Sequence, residues 1–105
     1  MCQKFVTPEK DYAELDTGST TLAFASYSVA EYNGIEVSKV NTENDTPAFE
    51  LAFVTDDIEK SFKQAIDAGA TMVKEPVSKP WGQMVGYMRD QNGFLVELCT
   101  PLVSQ

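Results

Sequence analysis

Residues 81–98 read Trp81-Gly82-Gln83-Met84-Val85-Gly86-Tyr87-Met88-Arg89-Asp90-Gln91-Asn92-Gly93-Phe94-Leu95-Val96-Glu97-Leu98. The pattern is that of a β-hairpin. Gln83 to Arg89 carries strand-forming side chains. Gln91-Asn92-Gly93 supplies a turn, with Gly93 free to take positive φ, and Phe94 to Cys99 is a second bulky run. Glu97 is the one carboxylate inside that run. The two-residue period of a strand puts Val96 and Leu98 on one face, and Leu95, Glu97 and Cys99 on the other. A sheet covered by helix on one side buries Val96 and Leu98 and leaves Glu97 facing a cavity or water. By the same alternation Tyr87 shares a face with Val85 and Arg89.

Upstream, Phe49 to Thr55 reads as a strand with Leu51 and Phe53 under a helix and Glu50, Ala52 and Val54 facing away. Asp56-Asp57 begins that helix, and Asp56 with Glu59 resembles a capping box. Ile58, Phe62, Ala65 and Ile66 form its apolar stripe, and Gly69 is the C′ residue. Ala70 to Lys74 is a strand, and Glu75 to Pro80 a proline-bounded loop. The order is therefore β-α-β-β-β. Nearer the N-terminus, Gln3 to Pro8 forms a short strand and Lys10 to Asp16 follows it. Thr17-Gly18-Ser19 turns the chain into a strand over Thr20 to Tyr27. There Leu22 and Phe24 share a face with Thr20. Ser28 to Thr46 lacks apolar periodicity; Ser28 is the expected N-cap of a single helical turn, and the rest is a connection. The reading is one α+β domain over 1–105, with a shortened module at 1–27, a connection at 28–46 and a βαβββ module at 47–105.

Asp90, Gly93 and Glu97, at that spacing, resemble the last hairpin of the vicinal-oxygen-chelate superfamily. That group includes glyoxalase I, bleomycin-resistance proteins, fosfomycin-resistance thiol transferases and extradiol dioxygenases. Pro80-Trp81-Gly82-Gln83 is similar to the bleomycin-resistance and glyoxalase-like branch. The resemblance implies two βαβββ modules forming a cupped mixed sheet. Here no strand and helix precede residue 3, so the first module looks short by roughly 25–30 residues, taking ordinary element lengths. Such a half-sheet exposes an apolar face and an unpaired edge. A homodimer is the expected cover.

Composition narrows the function. Hydrophobic residues make up 43% and charged residues 23% of the 105, an ordinary soluble balance. No long apolar run or leader is present, so a cytoplasmic protein without membrane contact is expected. Sixteen acidic against eight basic residues give a net charge of −8, which disfavours nucleic acid. The charge is either a solubilising surface or an attractor for a cationic ligand. The chain has no histidine. That removes the usual general base near neutral pH, the commonest nitrogen ligand for metals, and any Ser/His or Cys/His pair. Cys2 and Cys99 lack metal-type spacing and read as two reduced thiols. No phosphate-cradling glycine loop or nucleotide fingerprint occurs.

In metal-dependent members of the superfamily, ligands come from the first and last strands of each module. Carried over by position, the resemblance selects Glu50 and Glu97. The first module offers Leu22, Ala23 or Phe24, none of which coordinates a metal. Two carboxylates hold magnesium or manganese loosely and suit zinc or nickel poorly. No cofactor is expected, with a divalent ion as the alternative. Glu50 and Glu97 have three readings: strand glutamates in solvent or ion pairs, paired acids lining a ligand cavity, or an acid/base pair with a burial-raised pKa. Tyr87 is either a half-buried strand tyrosine or a ligand contact, and Trp81 either a lid or a packing plug. Phe24, Phe49, Phe53, Met84 and Met88 are expected to pack in the core, with pocket lining as the alternative. The leading expectation is a small-molecule binder conferring antibiotic resistance by sequestering a cationic or amphipathic ligand. Trp81, Tyr87 and Phe24 would stack on it, and Glu50 and Glu97 would supply charge. The alternatives are a glyoxalase-like lyase or isomerase using Glu50 and Glu97 around a divalent metal, and an interaction scaffold without a ligand.

Overall fold

The computed structural model describes residues 2–43 and 45–102. The chain divides into two compact units, residues 1–39 and 40–105, so the boundary falls inside the stretch read as a connection. In the first unit, β1 (Cys2–Val6), β2 (Tyr12–Asp16) and β3 (Thr21–Ala25) form an antiparallel meander in the order β1-β2-β3. The helix α1 spans Tyr27–Tyr32. Its N-cap is Ser26 rather than Ser28, and Ser26 makes no side-chain cap bond. The two serine hydroxyls bond each other instead, at 2.7 Å. No side chain among the described residues of this unit is fully buried.

The second unit holds β4 (Glu50–Val54), α2 (Ile58–Asp67), β5 (Thr71–Ser78), β6 (Met84–Arg89) and β7 (Leu95–Cys99). Its sheet runs β4-β7-β6-β5, with β4 parallel to β7 and the other pairs antiparallel. This is the β-α-β-β-β order read from the sequence. A parallel neighbour for β4 requires a long crossover, and the intervening helix and strands provide it. The amphipathic stripe of α2 lies on one face of the sheet. Ile58, Phe62, Met88 and Leu98 are buried there, with Phe53, Ala65, Ile66, Met84 and Val96 packed around them. Each fully buried side chain of this kind contributes about 1.5–3 kcal/mol of transfer free energy. Gly86 is part of this packing: a Cβ there would stand 3.0 Å from Phe62 Cε2 and 3.1 Å from Pro76 Cγ.

Several local expectations are corrected. The cap of α2 is Asp57, whose carboxylate accepts from the Lys60 amide at 3.2 Å; Asp56 does not cap. Phe49 and Phe24 are exposed rather than in the core. The segment after Lys74 is not a loop, because β5 continues through Glu75 and Pro76 to Ser78. Proline is tolerated there because β5 is an edge strand and the register shifts between Lys74 and Val77. Among the described residues no helix is long and apolar enough to cross a membrane.

Candidate functional site

The face of the second sheet opposite α2 carries the residues of chemical interest. Strand register fixes them. Tyr87 lies opposite Glu97 across the β6/β7 pair, and Ala52 lies opposite Glu97 across β4/β7. Glu50 is two residues from Ala52 and so points to the same face. The turn between β6 and β7 holds the hairpin in register. The Asp90 carboxylate accepts from the amides of Asn92 and Phe94, each at 2.9 Å, and Gly93 takes φ +93°. Close approach adds to the demand for glycine, since a Cβ at Gly93 would stand 2.5 Å from the Asn41 backbone. Arg89, on the same face as Tyr87, donates to the carbonyls of Gly93 at 3.0 Å and Asn41 at 2.8 Å. Its charge therefore ties residue 41 to the hairpin.

The Tyr87 hydroxyl donates to Glu97 Oε1 at 2.8 Å. That bond is the main reason the Tyr87 pKa is pushed up to about 12; burial and the negative charges of Glu97 and Glu50 add to it. Tyr87 thus keeps its proton at neutral pH and holds one carboxylate oxygen in place. Glu97 retains acceptor capacity, and Ala52 beside it is a side chain of minimal volume. Cys99, also on this face, has its thiol pKa raised, first by burial and then by the Glu97 charge. This thiol is therefore not poised as a nucleophile.

A cavity of about 360 Å³ adjoins Tyr87, lined by Lys74, Glu75, Val77, Lys79, Val85 and Tyr87. Three of these lining residues, Glu75, Val77 and Lys79, lie within the stretch read as a loop, so sequence reasoning passed them over. Trp81 is not among them. It is 59% exposed. Its indole donates to Gln83 Oε1 at 2.7 Å, and the Gln83 amide donates to the Thr100 carbonyl at 2.8 Å. Trp81 is thereby pinned at the entrance to β6. Phe24 stands on β3 of the first unit, opposite Ala13, with its ring exposed. The geometry therefore brings together Glu97 and Tyr87, with Glu50 near enough for its charge to act on Tyr87.

Among the described residues, no three of Cys, Asp and Glu converge as metal ligands could. Of the two carboxylates selected by position, Glu97 already gives an oxygen to Tyr87.

A mixed sheet in this strand order, backed by one helix and carrying an acid on its last strand, defines the class of βαβββ-module proteins. The chain belongs to the glyoxalase-like domain family, whose sequence model matches residues 1–103. Solved structures agree on the fold. A glyoxalase/bleomycin resistance protein/dioxygenase family enzyme from Burkholderia phytofirmans PsJN superposes with a TM-score of 0.72 at 22% identity, covering 92% of this chain and 74% of that one. TioX from Micromonospora sp. ML1 gives 0.67 at 22% identity, covering 94% and 77%. The bleomycin resistance determinant encoded on transposon Tn5 gives 0.57 at 16% identity, covering 96% and 80%. Comparison with curated proteins returned no match.

Proposed function

We propose that this protein binds a small molecule on the sheet face that carries Tyr87 and Glu97, and acts by sequestration. The observation that carries this reading is the Tyr87–Glu97 pair beside a cavity. The pair presents a fixed carboxylate acceptor, and the tyrosine that fixes it stays protonated. Such an arrangement holds an ammonium or hydroxyl donor and does not generate a strong base or nucleophile at pH 7. Val77 and Val85 give the cavity an apolar wall, so the preferred ligand is amphipathic. The Tn5 determinant, similar in fold, is a bleomycin resistance protein, and bleomycin is the natural first probe. The net charge of −8 favours the approach of a cationic ligand at low salt.

Residues 2–39 include no fully buried side chain among those described, and a second copy of the chain is the proposed cover. Light scattering should then report a dimer, and a monodisperse monomer contradicts that part.

Isothermal titration calorimetry with bleomycin and a panel of cationic amphipathic drugs tests the binding. A saturable signal is expected, with a raised melting temperature at excess ligand. Stabilisation of about 2.7 kcal/mol corresponds to a ligand at one hundred times its Kd. Glu97→Gln should weaken binding about tenfold, the loss of one charge-assisted contact. Silence across the panel, or unchanged affinity in both Glu97→Gln and Tyr87→Phe, refutes the reading.

A further inference from the structure

The cavity beside Tyr87 has a charge pattern that the sequence concealed. Lys74 is the register partner of Tyr87, and Val77 that of Val85. Three steps along β5 therefore match two along β6, which is a bulge. In a regular strand Lys74 and Val77 point to opposite faces. The bulge turns both toward the Tyr87 face, and Lys79, two residues beyond Val77, follows. As a result two of the eight basic residues of a strongly acidic chain line one cavity. Lys79 is half-buried. Among the described residues, no carboxylate lies within ion-pairing distance of either ammonium. Two ammonium groups on one lining, neither paired with a carboxylate, favour a bound anion. Glu75 is the one acid in the same lining. The cavity thus carries one net positive charge, which matches a monoanion better than a phosphate.

We infer that the ligand is amphoteric: Lys74 and Lys79 hold a carboxylate at one end, while Glu97 takes a donor group at the other. This rests on the binding reading above and adds the second charge. Val77 and Val85 line the cavity with Tyr87 and accommodate an apolar spacer between the two ends.

Three probes separate the two claims: hexanoate, hexylamine and 6-aminohexanoate. Each is titrated into the full ¹⁵N-labelled chain while amide shifts are followed by NMR. Hexanoate is expected to shift amides at 74–79 and 85–87. Its affinity should fall about fivefold or more in Lys79→Met and in Lys74→Met, and stay level in Glu97→Gln, as for loss of a partly solvated ion pair. Hexylamine should show the reverse pattern, and 6-aminohexanoate should bind more tightly than either. Raising the salt concentration on the unaltered chain should weaken hexanoate binding, a check that needs no variant. If hexylamine binds and hexanoate does not, or if hexanoate binds equally well to both lysine variants, the amphoteric inference fails and the binding site survives. If none of the three binds, both fail.

Discussion

Each half of this chain contains a tyrosine held by a glutamate, and the two pairs differ in instructive ways. On β2, the Tyr12 hydroxyl donates to Glu14 at 2.7 Å; the two are neighbours on one face of a single strand. In the other unit, Tyr87 donates to Glu97 at 2.8 Å across two strands. The bonds are alike in length and both raise the tyrosine pKa, yet only Tyr87 is carried up to about 12. Burial and the partner glutamate's charge act on both, and at Tyr87 the charges of Glu50 and Cys99 act as well. The surroundings differ more widely still. Every buried apolar side chain among the described residues belongs to residues 58–99. A hydrogen bond is a local event. A preorganised one needs a packed scaffold beneath it, and residues 40–102 have that scaffold.

The contrast is most open to attack through packing. Phe62→Ala should cost about 3–5 kcal/mol, because it empties the contact between α2 and the sheet. Leu22→Ala in the first unit should cost about 1 kcal/mol, the ordinary figure for a half-buried site. Urea denaturation of both variants measures the difference, and equal losses would abolish the distinction. Gly86→Ala comes next. Its methyl would press on Phe62 and Pro76, and about 1–3 kcal/mol of overpacking is expected by the same assay.

Alkaline titration sharpens the comparison of the two tyrosines. The folded-state pKa of Tyr87 is raised from 10.0 to about 12, so the folded state binds its proton more tightly than the unfolded state does. The stabilisation is therefore complete below pH 10 and is lost as the pH rises toward 12. Tyrosinate absorbance should show a component near 12 that moves downward in Glu97→Gln, the removal of its largest cause. Absence of that component would place the two pairs on the same footing. The smallest effect concerns the thiols. Cys2 is exposed and Cys99 buried with a raised pKa. Ellman's reagent should give a fast phase from Cys2 and a slow one from Cys99. Glu97→Gln should modestly quicken the slow phase.

Much of the fold was legible because it follows from short-range rules. The alternation along Leu95 to Cys99 assigned Leu98 to the core and Glu97 to the other face, and the burial of Leu98 agrees. The α2 stripe and its Gly69 terminus needed only the helical period; Gly69 takes φ +114°. The errors have local physical causes. Asp56 and Asp57 are chemically equivalent cap candidates one residue apart, and only the entry path of the chain selects Asp57. Pro76 and Pro80 bracketed a segment that reads as loop, but an edge strand needs no amide donor at a bulge. Val77 and Lys79 were missed with it, and Lys74, read as the end of the preceding strand, was not singled out. Phe49 and Phe24 have the chemistry of core residues, and nothing in their local pattern records that they are exposed.

By itself the sequence determined which residues face together along each strand and helix, where the hairpin turns at Asp90 to Gly93, and the acidic charge of the chain. These depend on periodicity, glycine and composition, all of which act over a few residues. The tertiary structure alone set Tyr87 against Glu97, placed Ala52 beside that acid and brought two lysines into one cavity. Those juxtapositions depend on register between strands and on the two register shifts of β5, between Met72 and Lys74 and between Lys74 and Val77. A shift of one residue in either would turn the same side chains to opposite faces.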